Sequence, residues 1–266
     1  MYLFLAIPNF CGSTLFHSLI ETAPAVVRLT PPDRVSRNFG GKDDFVEGNV
    51  CAVGGYRQLN GPHSIEANME HVYSDPANYD WPRIRAQWEE NWAKTNPYAT
   101  VKLQKTPADI FRVPQMTQHF DDLKWVVSVK NPYAYVESIM SKTAYYLNPE
   151  THMDQICFHV LRTMEIQIAN QKYLGDRAYS VTLEDFSANP ELHRDALVEF
   201  VPELDGMRVD QPFMVKGRKC DSIKADGLSK ATAMLAKYPE FHKQINSYFK
   251  PLEHILAHWG YEVIEA

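Results

Sequence analysis

The chain has 266 residues, 45% apolar and 23% charged, with a formal net charge of −6. That composition reads as a water-soluble globular protein with one large core. The acidic balance excludes broad polyanion binding, so no nucleic-acid partner is expected. No apolar run approaches the ~20 residues needed to cross a bilayer, and no membrane partner is expected either.

The first elements sit close together. Tyr2 to Ile7 predicts a short buried strand. Ser13 to Glu21 predicts a helix with Leu15, Phe16, Leu19 and Ile20 on one face, and Pro24 stops it. The apolar start is not an export signal on this reading. A signal needs a basic leading segment, and the first lysine or arginine is Arg28. The four cysteines, Cys11, Cys51, Cys157 and Cys220, are scattered with no CxxC pair, which fits a reducing, cytoplasmic setting and offers no zinc site.

Ala25 to Leu29 predicts a second strand, and residues 30–61 predict long loops with one short helix at most. Trp81 to Ala93 reads as a helix, Ala99 to Leu103 as a strand, and Trp125 to Val129 as a strong buried strand. Pro132 opens a helix running to about Tyr145. Thr151 to Leu174 carries Met153, Ile156, Val160, Met164 and Ile168 at helical spacing, with Gly175 as its C-cap. Ala178 to Leu183 predicts a strand, followed by a loop and a helix from Pro190 to Phe200. Val201 to Ser222 reads as irregular, and Tyr238 to Trp259 as an amphipathic helical stretch. Strands alternating with helices predict an α/β fold of three layers, a mostly parallel sheet flanked by helices. With no repeat or linker, residues 1–266 are expected to form a single domain, with 31–98 a loop-rich insertion.

Four stations carry chemistry. The first is the turn Phe10-Cys11-Gly12-Ser13-Thr14-Leu15 between strand and helix. Such a turn presents unpaired backbone N–H groups to an anion, and glycine permits close approach. Ser13 or Thr14 as a plain helix cap is the competing reading. The GxxxxGK[ST] motif of nucleotide triphosphatases is not present. The second station is Lys105 at a strand end, within Gln104-Lys105-Thr106-Pro107. The third is Lys130, at the edge where open α/β sheets bind ligands, with Ser138 eight residues on. The fourth is Lys216-Gly217-Arg218-Lys219, three cations around a glycine. Each alone reads equally well as solvated surface.

Together, in order, the four resemble the sulfotransferase superfamily. PNFCGSTL is similar to that family's 5′-phosphosulfate loop, and QKTPADIFRVPQMTQHFDDLKWVVSVKNPYAYVESIM to the block ending in its 3′-phosphate signature. YSVTLEDFSANPELHRDALVEF, then KGRKCDSI and YFKPLEHILAHWGYE, resemble the later segments of the glycan-type branch. The resemblance implies a P-loop-like nucleotide-hydrolase fold. It implies 3′-phosphoadenosine 5′-phosphosulfate (PAPS) as co-substrate, no metal, and a saccharide or small-molecule acceptor. It implies that Phe10 to Leu15 hold the 5′-phosphosulfate, and that Lys130 and Ser138 hold the 3′-phosphate. Lys216, Gly217 and Arg218 would close over the donor, and Lys105 and Lys216 would stabilise the transferring group. Glu70 or His63 would be the base, with His17 and His71 as rivals, and residues 31–98 would face the acceptor. Two departures keep an inactive nucleotide-binding relative, and a small-molecule kinase of the same fold, in play. Phe10 stands where the family has a cation, and Lys130 replaces its arginine.

Overall fold

The computed structural model describes residues 1–29, 70, 74–143, 149–215, 218–223 and 227–265. Seven strands are described: β1 Tyr2–Ala6, β2 Val26–Arg28, β3 Val101–Lys105, β4 Leu123–Val129, β5 Ala178–Thr182, β6 Phe213–Val215 and β7 Arg218–Cys220. The first five form one parallel sheet in the order β2-β3-β1-β4-β5. Around it run α1 Ser13–Ile20, α2 Trp81–Thr95, α3 Val113–His119, α4 Pro132–Thr143, α5 Pro149–Leu174, α6 Leu183–Ala188, α7 Pro190–Phe200, α8 Gly227–Lys237, α9 Pro239–Phe249 and α10 Glu253–His258. The expected helix-flanked, mostly parallel α/β architecture is what the chain adopts. No described helix is long and apolar enough to cross a membrane.

The central strand explains the order. All five residues of β1 are buried, as a strand covered on both faces requires. On one side Leu5 pairs with Lys105 of β3, and on the other Ala6 pairs with Val127 of β4. The chain leaves β1 toward β2 and leaves β4 toward β5, so the outgoing connections of these neighbours diverge. A crevice opens at such a point, beyond the C-terminal ends of the strands.

Several elements differ from the sequence expectation. The loop after β5 is the helix α6, started by Thr182, whose hydroxyl accepts from the Asp185 amide at 3.2 Å. The irregular stretch 201–222 contains the antiparallel ribbon β6–β7, in which Val215 pairs with Arg218. The C-terminal helical stretch is divided at Lys250–Leu252, because Pro251 has no amide to continue α9. α5 is kinked at His152 (φ −129°, ψ 16°). Helices α3 and α8 were not anticipated. Much of the aromatic cluster between residues 31 and 98 belongs to the core: Tyr79, Trp81, Trp88 and Trp92 are buried, and Trp88 stacks on Phe120 with centroids 5.5 Å apart. Phe39, Phe45, Tyr56 and Tyr73 lie outside the described residues.

Buried polar groups tie the layers together. Gln167 of α5 donates to the backbone oxygens of Ala6 at 2.5 Å and Ser128 at 3.0 Å, clamping the ends of β1 and β4. Asn170, one turn on, donates to the Ile110 oxygen at 2.9 Å. Below β3, Asp109 (0% exposed) pairs with Arg112 (3%) and accepts from Gln104 at 2.9 Å. Arg112 also donates to the Tyr79 hydroxyl at 3.1 Å. A buried charge left without its partner costs about 3–5 kcal/mol. Asp109→Ala is therefore expected to lower unfolding free energy by about that amount in urea titration. A loss below about 1 kcal/mol would remove this pair from the framework.

Candidate functional site

The turn after β1 is built from two left-handed residues. Phe10 has φ 63°, and Gly12 has φ 87° and is the N-cap of α1. The positive φ asks for glycine, and a Cβ at position 12 would also lie 2.7 Å from Leu183 Cδ1, which would have to shift. Cys11 is buried, and its amide donates to the Pro8 oxygen at 3.2 Å. No side chain caps α1, which sets aside Ser13 or Thr14 as a plain cap. The first-turn amides of the helix have no side-chain cap to occupy them. Ser13 is buried, while Thr14 and Leu15 are half-buried.

Beneath the turn lies a buried polar cluster. The Tyr135 hydroxyl is 3.0 Å from His159 Nε2. Burial, and then the neighbouring Cys11, push the Tyr135 pKa well above its ordinary value. Burial pulls the His159 imidazole down to about 3. This ring is neutral and serves as a hydrogen-bond partner under the loop.

At the end of the adjacent strand β4, the Lys130 ammonium donates to Ser138 Oγ at 2.7 Å. The Ser138 hydroxyl is in turn 3.4 Å from a Glu137 carboxylate oxygen. Lys130 is 7% exposed and Ser138 4%. Among the described residues no carboxylate forms an ion pair with Lys130. The pair is held by the start of α4. Asn131 Oδ1 accepts from the amides of Tyr133 (3.1 Å) and Ala134 (3.2 Å), capping the helix before Pro132. The Asn131 amide donates to Glu184 Oε1 at 3.0 Å, and the Tyr261 hydroxyl donates to Glu184 Oε2 at 2.6 Å. Burial, and then the Glu184 charge, raise the Tyr261 pKa and keep its hydroxyl a donor. The tail beyond Tyr261 is fastened to the same helix, because the Ile264 amide donates to the Tyr133 hydroxyl at 3.0 Å.

Lys105 ends β3 on the far side of β1. Its charge reaches His17 on α1: burial, then Lys105 and Arg28, lower the His17 pKa to about 3. His17 is therefore neutral and weakly basic, and its Nδ1 lies 3.4 Å from Glu21. The structure thus brings the turn, Lys105, Lys130 and Ser138 to one edge of the sheet. Glu70 is engaged elsewhere: both its carboxylate oxygens accept from Arg162 of α5, each at 2.7 Å. His63, His71, Lys216 and Gly217 lie outside the described residues, and Arg218 opens β7. The sequence reading passed over Glu184, Tyr261 and Arg162, which act through partners distant along the chain and carry no local spacing signal.

No family model matches the chain, and no curated protein does. Solved structures do. A sulfotransferase from Alicyclobacillus acidocaldarius is similar with TM-score 0.52 and 14% identity, over 97% of this chain and 93% of that one. The sulfotransferase domain from the curacin biosynthetic pathway has TM-score 0.47 and 13% identity, over 88% of this chain and 96% of that one. That of the Synechococcus PCC 7002 olefin synthase has 0.46 and 15%, over 88% and 94%. The architecture is a parallel α/β sheet with a left-handed, glycine-containing turn after its central strand. Its fold is of the sulfotransferase type.

The buried imidazole gives the site a pH signature. The His159 pKa is about 3 in the fold against an ordinary 6.5, so between those values the unfolded chain binds a proton that the folded chain refuses. Its contribution is complete above pH 6.5 and is lost as pH falls toward 3. The stability difference between wild type and His159→Gln is expected to narrow in the acid direction across that window. Parallel curves would contradict a neutral buried His159.

Proposed function

We propose that this protein is a PAPS-dependent sulfotransferase, moving a sulfuryl group to a hydroxyl or amine of a saccharide or small-molecule acceptor. The observation that carries the reading is the Lys130–Ser138 pair. A buried ammonium with only a neutral hydroxyl for a partner among the described residues is costly unless an anion completes it. It stands one strand away from an uncapped helix N-terminus, a second anion-seeking feature. Two anion positions flanking one crevice suit a nucleotide phosphorylated at both 3′ and 5′ positions.

In this reading the turn from Phe10 to Leu15 receives the 5′-phosphate side of the donor, and Lys130 with Ser138 the 3′-phosphate. The acceptor oxygen forms a bond to sulfur as the bond from sulfur to the 5′-phosphate oxygen breaks, in line. The acceptor proton passes to a base, and charge builds on the departing phosphate. Lys105 and Lys216 are assigned to that charge. Both fit an electrostatic role that is worth most in a water-poor site. Of the two candidates for the base, Glu70 would first have to leave Arg162, so the assignment passes to His63. Residues 31–98 are assigned to the acceptor side, within a single domain.

One observation favours a second reading. Phe10 is in a left-handed conformation and stands where the resemblance implies a cation that would contact the leaving group. A nucleotide-binding protein without transfer activity accounts for that residue.

Sulfate transfer from radiolabelled PAPS to a panel of hydroxylated and amino acceptors separates the two readings. Transfer is expected. Lys130→Ala is expected to weaken donor binding by roughly 10–150-fold, the equivalent of one charge-assisted hydrogen bond. Binding of the 3′,5′-bisphosphate with no transfer to any acceptor would favour the second reading. Binding of Mg-ATP in preference to PAPS would overturn both in favour of a kinase.

A further inference from the structure

The wall of the Lys130 pocket is a glycine. Gly227 is the first residue of α8, which packs along α4. A Cβ built at position 227 would lie 2.8 Å from Lys130 Cε and 3.1 Å from Lys130 Nζ. It would also lie 3.1 Å from the Ala134 Cβ of α4. Gly227 is not among the positive-φ glycines, so its backbone does not demand glycine. The space does.

The neighbours differ in how they can yield. Ala134 is buried on a helix capped by Asn131 and cannot retreat. Lys130 Cε and Nζ are the free end of a flexible chain. A methyl group at 227 would therefore be accommodated by the lysine, and the movement falls on the ammonium that now sits 2.7 Å from Ser138. At an average helical position, alanine in place of glycine is favoured by ~1 kcal/mol, so the fold itself should tolerate the change.

We propose that Gly227 is a positioning residue that sets donor specificity: its bare backbone seats the Lys130 ammonium on Ser138, and so selects nucleotides that carry a 3′-phosphate. This rests on the reading of Lys130 and Ser138 as the 3′-phosphate site. It adds to that reading a residue that acts through the lysine it lies against. It also links the site to the segment following the β6–β7 ribbon, since α8 is the next described helix along the chain.

The test is calorimetric titration of the full chain with adenosine 3′,5′-bisphosphate and with adenosine 5′-phosphate, which differ only in the 3′-phosphate. Wild type, Gly227→Ala, Lys130→Ala and the double variant are compared, with thermal unfolding recorded for each. Gly227→Ala is expected to lower bisphosphate affinity roughly tenfold, as for one weakened charge-assisted hydrogen bond. Affinity for adenosine 5′-phosphate and the unfolding temperature should stay near wild type. In the Lys130→Ala background the same substitution should have no further effect, because the group it displaces is gone. Equal weakening of both nucleotides, an unchanged preference, or a loss that persists without Lys130 would each overturn the role of Gly227. A wild type with no preference for the 3′-phosphate would overturn the Lys130 reading as well. A wild type with the preference, left intact by Gly227→Ala, would overturn the seat alone.

Discussion

The pairing of β1 with β4 governs the rest of this molecule. These strands are parallel neighbours whose connections leave in opposite directions, so the sheet opens at their C-terminal ends. The turn and Lys130 are placed by that pairing, and Lys105 by the pairing of β1 with β3. The left-handed turn follows β1, Lys130 follows β4, and Lys105 ends the strand on the other flank of β1. Gln167 fastens the two strand ends from beneath by donating to a carbonyl on each. The crevice is therefore fixed by backbone topology.

Long-range contacts then hold the polar groups in register. Glu184, just beyond β5, takes one hydrogen bond from the Asn131 amide and another from Tyr261 near the C-terminus of the chain. The same helix start is reached from the last turn of the molecule by Tyr133 and Ile264. Lys130 is held between Ser138, the bare backbone of Gly227 and Ala134. The C-terminal segment of the chain thus meets the helix start that follows Lys130. An ammonium in such surroundings gains more from a bound phosphate than it would in water, because the local dielectric is lower.

The strands of the main sheet and the turn after β1 were legible because they are local signals. WVVSV is a buried strand by composition, Pro132 marks a helix start, and Gly12 marks a turn. Helix α1, β4 and α7 fall where the residue pattern places them. The ribbon at 213–220 was not legible, since two strands of three residues carry too little alternation to register. Helix α6 is only six residues long and lies between a strand and a proline-started helix, so its pattern merged with the turn chemistry around it. In the site, Lys130 and Ser138 were foreseen as a pair because eight residues across a helix start bring them together. The engagement of Glu70 by Arg162 was not, because 92 residues separate the two. Gly227 was invisible for the same reason: nothing near it in sequence states that a lysine lies against it.

The most direct measurement is calorimetric titration of the wild-type chain with adenosine 3′,5′-bisphosphate, with adenosine 5′-phosphate and Mg-ATP as comparisons. The account predicts micromolar or tighter binding of the bisphosphate, at least tenfold stronger than that of adenosine 5′-phosphate, as one added charge-assisted contact requires. Equal affinity for the two adenosine phosphates, or binding of none of the three, would contradict the claim that Lys130 and Ser138 form a 3′-phosphate site.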